Sequence, residues 1–542
     1  MKVPRLSTSF ALSYFFLTAI AAAAESWKDY TEPQYHIIVV KGNGEPFRPV
    51  VQRRQRKGEW QYKVKLESFG RTPEEQTKAY KIYLEALAAN IRKSKKTELT
   101  VFIHGGMNFV SGSVKHAVSL VANNERFQEF REEGLRGFDI SSHGYPIFIC
   151  WDSPPTGYGE QSLWVRAGKT EKYGRSVGRG IYAWASLPFQ ILADAGRAVT
   201  RLPLELFEFG YNDFYSIDQR SFTEYKRMKE ETPYLRGESL YKGLPISPTA
   251  KKIAVSNVEP IERKPKHLMQ DIGTVLLFPV RSVALPLIDG IGVGAWNNML
   301  RHTDTMFDRT NPESRGRHTP VEDAVAKGET GAIAMFLATL RDSPGASTNY
   351  KVTLIGHSMG AIVANRIIVS YPEFNYANIV YLAAACSVRE FQGCVIPYLL
   401  AHKKSRFYGL SLHPRRESGE IAISPRNIPL DVAPRGSLLV WIDNIFGNPP
   451  SEDQRRFGVF QTAVLASHNI PPDARPQVTL KCFKFGDDDT REDGIIRSPQ
   501  HHGDFSRFPY WDPARWQLDP PPSRKSRTAG PDPTRSTAAT SE

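Results

Sequence analysis

Lys351-Val-Thr-Leu-Ile-Gly-His-Ser-Met-Gly360 is the stretch that decides how this 542-residue chain is expected to fold. An apolar run of strand type at 352–355 precedes Ser358, and a segment with helical apolar spacing follows at 361–370. A strand that turns sharply into a helix exposes the residue at its elbow at the edge of a sheet. Gly356 and Gly360 lack the Cβ atoms that would clash in so tight a turn. The pattern predicts that Ser358 is a nucleophile; the alternative is an ordinary turn that contains a serine.

A second strand-and-glycine motif lies upstream, at Glu98-Leu-Thr-Val-Phe-Ile-His-Gly-Gly106. Glycines directly after a strand allow backbone N–H groups to point into a site, where they can stabilise a developing oxyanion. His104 is expected to be a structural part of this loop rather than a base. The candidate oxyanion donors are the N–H groups of Gly105, Gly106, Met107 and Met359.

A serine hydroxyl needs a base to take its proton before it can attack. The segment Gln500-His-His-Gly-Asp-Phe505 offers two histidines near the end of the chain. His502, which is followed by a glycine, is the candidate base, and His501 is the alternative. His357 neighbours the nucleophile and is expected to belong to the elbow rather than to act as the base.

These three motifs resemble those of the α/β-hydrolase superfamily, in its lipase- and esterase-like branch. The resemblance rests on His104-Gly105-Gly106, Gly356-His-Ser-Met-Gly360 and His502-Gly503, in that order along the chain, and spans about residues 96 to 510. It implies a serine hydrolase that cleaves carboxylic esters through a Ser-His-acid triad and an acyl-enzyme. It requires no metal and no organic cofactor.

The carboxylate of such a triad fixes the imidazole tautomer and stabilises the imidazolium. Glu417, soon after the predicted strand 406–412, is our first candidate. Glu390 and Asp443 are the alternatives, and the sequence leaves the choice among the three open.

Apolar runs alternate with helical patterns along most of the chain, which predicts an α/β fold with a doubly wound, mostly parallel sheet. The first two strands are expected at 35–40 and 59–69, and helices at 332–340 and 395–402. The expected domain spans 25–515, and about 155–325 forms a large insertion between a strand and the next helix. Its apolar stretch 275–300 carries Arg281 and Asp289, which argues against a membrane-spanning helix. The insertion is expected to be a helical cap or lid over the site, or else an extension that thickens the core.

Residues 1–24 resemble a secretory signal peptide, with a basic start, an apolar middle and a run of alanines before Glu25. We therefore expect a secreted or periplasmic protein, with an uncleaved anchor as the alternative. Residues 516–542 are rich in Pro, Ser, Thr and Arg, which is typical of a disordered tail.

The composition narrows the classes of partner. The net charge of +13 comes from 70 basic and 57 acidic residues without a dense basic block, so no nucleic-acid motif is indicated. The expected partner is a small or lipid-like ester, with membrane-surface contact as a further possibility. Cys386 and Cys394 could form a disulfide in an oxidising compartment, and no cysteine pair has zinc-ligand spacing.

Two other functions remain open at this stage. One is acyl transfer or amide cleavage at the same site. The other is a non-catalytic binding protein built on this fold, because a fold does not determine a function.

Overall fold

A computed structural model describes residues 28–153, 253–256, 265–309 and 330–518 together with isolated helical stretches between 185 and 206. Gaps fall at 31, 57–58, 107–108, 122–139, 344–349, 421–433, 448, 450, 486–490, 493–494 and 497. The predicted signal peptide, Met107, residues 519–542 of the predicted tail and most of the predicted insertion therefore lie outside the described residues.

Eleven strands of the described chain form one large sheet. The strands are β1 (Lys28–Tyr30), β2 (Ile37–Val40), β3 (Pro46–Arg56), β4 (Glu59–Ser68), β5 (Glu98–Ile103), β6 (Tyr145–Trp151), β7 (Ala254–Val255), β8 (Lys351–His357), β9 (Asn375–Leu382), β10 (Arg406–Ser411) and β11 (Val478–Cys482). Their spatial order is β1-β3-β2-β6-β5-β8-β9-β10-β11-β7, and β4 pairs with β3. A separate two-stranded sheet joins β12 (Arg491–Glu492) to β13 (Ile495–Ile496).

Along the spatial order from β2 at one side to β7 at the other, every pair of neighbouring strands is parallel. The strand pairs that involve β3 are antiparallel. The central strands are continuous apolar runs, as expected for strands that are buried on both faces. The register pairs Ile103 with Gly356 at the carboxyl ends of β5 and β8. The two glycine-bearing turns predicted from the sequence therefore begin side by side, at one edge of the sheet.

The helices that accompany the sheet are α1 (Pro73–Lys93), α2 (Val110–Val121), α3 (Pro265–Thr305), α4 (Ala332–Asp342), α5 (Gly360–Ser370), α6 (Val388–Ala401), α7 (Pro414–Gly419), α8 (Leu438–Trp441) and α9 (Phe460–Ala466). A π-helical segment, Ile442–Phe446, continues α8. The predicted α/β fold with a mostly parallel sheet is confirmed at this level.

The strand prediction is wrong at the amino-terminal side of the sheet, where 35–40 and 59–69 were expected to be the first two strands. The structure has β1 before them and β3 between them. β3 reads Pro-Phe-Arg-Pro-Val-Val-Gln-Arg-Arg-Gln-Arg, and its two prolines and four arginines hide it from a search for apolar runs. β3 nevertheless forms a strand, because it pairs with β4 from Phe47 to Arg56.

Helix α3 contains the apolar stretch 275–300 that was expected in the insertion. It runs for 41 residues with Pro279 and Pro286 inside it. Near its middle, Leu285 joins a small apolar cluster with Trp441 and Ile445, separate from the main core. No helix in the described part of the chain has the length and apolar character needed to span a membrane.

Candidate active site

Ser358 lies at a sharp turn between β8 and α5. Its φ of +51° is in the left-handed region, which a non-glycine residue adopts only where the surroundings impose it. Its N–H donates to the Leu382 carbonyl at 2.9 Å, and its carbonyl accepts from Ala385 N–H at 2.9 Å. Both contacts come from β9 and the loop after it, so the neighbouring strand holds the serine in its strained conformation.

Three glycines make room for this turn. A Cβ on Gly356 would lie 2.7 Å from the Ala361 nitrogen, and one on Gly360 would overlap the Ile103 carbonyl oxygen. A Cβ on Gly105 would lie 2.8 Å from the Ser358 Cβ. The β5 loop and the elbow therefore touch through positions that only glycine fits.

The ring of His104 is fully engaged in holding the loop after β5. Its Nδ1–H donates to the Gly105 carbonyl at 2.6 Å, and its Nε2 accepts from Trp151 N–H at 2.9 Å. Burial lowers the pKa of His104 to about 4, so the ring is neutral at pH 7. Because C=O and N–H of a trans peptide point in opposite directions, a Gly105 carbonyl turned towards His104 directs the Gly106 N–H the other way.

Gly106 in turn packs against Met359, the residue after the serine. A Cβ on Gly106 would lie 2.7 Å from the Met359 Sδ. Met359 is the N-cap residue of α5. The first N–H groups of a helix have no acceptor inside it, so they can serve an anion at this position.

His502 is buried in contact with the elbow. Its carbonyl accepts from the His357 Nε2–H at 3.2 Å, and the two rings lie 5.2 Å apart. Neither ring nitrogen of His502 has a hydrogen-bond partner among the described residues, nor does Ser358 Oγ. The two side chains are therefore not hydrogen-bonded to each other here. Burial lowers the pKa of His502 to about 4.

His501, the alternative base, is exposed and faces away from this cluster. Its ring pairs with Asp504 at 3.2 Å, and that hydrogen bond raises its pKa. The Asp504 carboxylate also accepts from the His501 N–H, which caps the short helix His502–Ser506. His501 thus has a structural partner, whereas the His502 ring has none among the described residues.

The three predicted carboxylates bind other groups. Glu417 accepts a very short hydrogen bond from the Ser437 hydroxyl, and burial raises its pKa to about 8. Glu390 accepts from the N–H and hydroxyl of Ser387 in a capping box at the start of α6. Asp443 accepts from the side chain and the backbone of Arg456.

Sequence reasoning missed the carboxylate that does contact His502, which is Glu420. Its two oxygens accept from the His502 backbone N–H, at 3.1 and 2.9 Å. Burial raises the pKa of Glu420 to about 7. Glu420 follows Glu417 by three residues, after the short helix α7, so a wider search of that loop could have found it.

Helix α3 packs beside the elbow. The Met299 Sδ lies 3.2 Å from the position that a Cβ on Gly106 would take, and both Met299 and Trp296 are buried. Ser358 itself is 1% exposed.

The remaining predictions concern ions and thiols. No cluster of three or more His, Cys, Asp or Glu side chains in the described part of the chain is placed to bind a metal ion. Cys150, Cys386, Cys394 and Cys482 are all buried, and none of the four is joined to another by a disulfide. Comparison with protein-family models, curated proteins and solved structures finds no match.

Proposed function

We propose that this protein is a serine hydrolase of the α/β-hydrolase type that cleaves carboxylic esters. The observation that carries the proposal is the left-handed Ser358 at a strand–helix elbow, with its Cβ beside Gly105 and its hydroxyl unpartnered among the described residues. Strained residues of this kind persist where a function requires them. The carbonyl of His502, the candidate base, accepts a hydrogen bond from His357, the residue just before this serine.

In this mechanism, His502 takes the Ser358 proton while Oγ attacks the ester carbonyl. The tetrahedral intermediate collapses as His502 gives that proton to the departing alkoxide, leaving an acyl ester on Oγ. A water then loses its proton to His502, attacks the acyl carbon and releases the acid, and Ser358 regains its proton. At pH 7 the His502 ring is neutral, which is the form that accepts a proton, but its lowered pKa makes it a weak base. The mechanism therefore requires a carboxylate that stabilises the imidazolium.

The oxyanion formed in both steps requires N–H donors that are already in place. The N–H groups of Met359 and Gly106 are our candidates, since these residues pack together beside the serine. Gly105 and Met107 stay on the list of predicted donors. His104 fixes the Gly105–Gly106 peptide by donating to the Gly105 carbonyl.

The third member of the triad lies in the loop that follows β10. Glu417 was predicted there, but its carboxyl accepts from the Ser437 hydroxyl in this structure. We favour Glu420, because it is the carboxylate bound to His502 in this structure. Glu417 remains the alternative.

Met299 and Met359, which both lie beside Gly106 next to the nucleophile, favour an apolar, lipid-like ester as substrate. The same enclosure favours acyl transfer as a second candidate function, because an acyl-enzyme shielded from water can await an alcohol acceptor. Competing alcohols added to the ester assay distinguish the two by the product formed. A secreted or periplasmic location follows from the predicted signal peptide and belongs to this proposal.

The deciding experiment is covalent labelling of the full chain with a fluorophosphonate, coupled to hydrolysis of short-chain nitrophenyl esters. The parent protein should react at Ser358 and turn over ester. Ser358→Ala should do neither, while it keeps the parent's circular dichroism spectrum. Ester turnover at the parental rate in Ser358→Ala would rule out this nucleophile, and absence of labelling in the parent would favour a binding protein.

A further inference from the structure

We propose that His357 is a positioning residue, whose ring holds the backbone of His502 at a fixed distance from the nucleophile. The inference rests on the proposed function, since it assigns His502 as the base. It concerns a residue that exchanges no proton with the substrate. The contact that supports it is the 3.2 Å hydrogen bond between His357 Nε2 and the His502 carbonyl oxygen.

The direction of this hydrogen bond fixes the tautomer of His357. A carbonyl oxygen can only accept, so the proton must be on Nε2. The ring is buried against His502 and Phe505, with ring centroids 5.2 and 6.0 Å away. Burial, followed by the neighbouring His502, lowers the pKa of His357 to about 3. The ring therefore stays neutral and keeps its single donor at the pH of an esterase assay.

The other side of His502 is held as well. Its N–H donates to both carboxylate oxygens of Glu420, so the two peptide groups that flank the His502 Cα each have a side-chain partner. The imidazole has no hydrogen bond of its own among the described residues. The position of that ring thus depends on its backbone, and its backbone depends on Glu420 and His357.

The residue that holds His502 and the nucleophile are adjacent in the sequence. His357 is the last residue of β8, directly before Ser358, so one residue carries the tether and the next carries the nucleophile. A misplacement of about 1 Å between reacting groups can lower a rate about 100-fold. Loss of the His357–His502 hydrogen bond should therefore lower kcat. KM should stay nearly unchanged, because His357 contacts the base rather than the substrate.

Two substitutions separate the donor from mere bulk. The amide nitrogen of glutamine can take the place of His Nε2, whereas asparagine is one methylene shorter. His357→Gln should keep kcat within about threefold of the parent, and His357→Asn should lower it by about 10- to 100-fold. His357→Leu, which fills the space without a donor, should resemble His357→Asn. KM should change by less than about twofold in all three.

The matched control is His36, at the opposite end of the sheet. Its ring also donates to a backbone carbonyl, that of Pro146 at 2.8 Å, beside the start of β6. His36→Leu should affect the unfolding midpoint and not kcat per folded molecule. Equal kcat losses in His357→Gln and His357→Asn, or parental kcat in His357→Leu, would overturn the positioning role. Those results differ from activity in Ser358→Ala, which would instead overturn the proposed function.

Discussion

Arg366 Nη1 donates to Asp304 Oδ1 at 2.7 Å, and the two side chains are 6% and 1% exposed. Arg366 belongs to α5, the helix behind the nucleophile, and Asp304 to the last turn of α3. A buried ion pair therefore joins the elbow helix to the helix that packs beside the elbow. The Arg366 guanidinium also lies 5.5 Å from the ring centre of Phe307.

Asp304→Ala should destabilise the protein by about 3–5 kcal/mol, because it leaves a buried guanidinium without its counter-charge. Glu67→Ala, which breaks the exposed Arg48–Glu67 pair at 2.9 Å, should cost about 1 kcal/mol or less. Urea unfolding of both variants measures the difference. Equal losses of unfolding free energy in the two variants would contradict a larger contribution from the buried pair. The apolar double replacement Asp304→Leu with Arg366→Met should recover part of the stability lost in Asp304→Ala.

Gly360→Ala should abolish activity, because the added methyl group overlaps the Ile103 carbonyl oxygen and displaces the elbow from β5. Gly503→Ala is the control, since nothing lies within 4 Å of a Cβ at that position. It should keep nearly parental ester turnover, although Gly503 belongs to the His-Gly motif that drew attention to this loop. A tolerated Gly360→Ala, measured by probe labelling at Ser358, would show that the elbow does not need this close approach.

Local pattern predicted the parts of the site that are contiguous in sequence. Strand β8, the glycines around Ser358 and the glycine loop after β5 follow from apolar runs and turn residues, and parallel pairing then brings their ends together. The predicted helix 332–340 is observed as Ala332–Asp342. The predicted helix 395–402 corresponds to the second half of α6.

Local pattern points to the loop after β10, but the choice of carboxylate within and around it depends on how distant loops pack. Only tertiary contacts show that Glu390, Glu417 and Asp443 bind Ser387, Ser437 and Arg456. The left-handed Ala383 beside the elbow, with φ +42°, was equally invisible, since alanine carries no signal for that conformation.

Glu420→Gln should lower kcat by about 10³- to 10⁴-fold if Glu420 completes the triad, because a neutral amide cannot stabilise the imidazolium. The amide oxygen still accepts from the His502 N–H, so the backbone contact survives and the loss reports the charge. Glu417→Gln should keep kcat within about threefold. The reverse ranking would return the role to Glu417, and comparable losses in Glu390→Gln or Asp443→Asn would reopen those candidates.

Glu417 should also make stability depend on pH. Its folded-state pKa of about 8 lies above the usual value of about 4.3 for an unfolded chain, so the folded state holds the extra proton between these limits. Its contribution to stability is therefore present at low pH and is lost as pH rises towards 8. Glu417→Gln lacks this titration. Relative to the parent, it should gain up to about 1.4 kcal/mol per pH unit between pH 5 and 8.

Urea unfolding at pH 5, 6.5 and 8 measures that gain, with Glu67→Gln as a control for removing an exposed carboxylate. If Glu417→Gln instead becomes less stable relative to the parent as pH rises from 5 to 8, the assigned direction is wrong. The buried histidines act in the opposite sense, since His104, His357 and His502 all have lowered pKa values. Stability that they contribute is lost as pH falls from about 6.5 towards 4, so both variants should be compared with the parent at each pH.

Asp289 should control access to Ser358. Its buried carboxylate accepts from Arg197 at 3.0 Å and Arg201 at 3.4 Å, which ties the helical residues 196–203 to α3. Arg201 also donates to the Ile445 carbonyl at 3.1 Å, within the small cluster apart from the main core. Loss of the carboxylate leaves two cations without their shared partner, which should loosen α3. Met299 of α3 lies beside Gly106, next to the elbow, and we propose this helix as the cover over Ser358.

Asp289→Asn should therefore raise the rate at which a bulky fluorophosphonate labels Ser358, by about threefold or more, while labelling by a small one changes little. Asp342→Asn, at the exposed pair with Arg341, is the matched control and should change neither rate. The comparison between two probe sizes separates opening of the cover from a change in serine reactivity, which would shift both rates together. Equal acceleration of both probes would place Asp289 in the chemistry of the elbow instead, and unchanged rates would mean that the Asp289 contacts do not hold the cover closed.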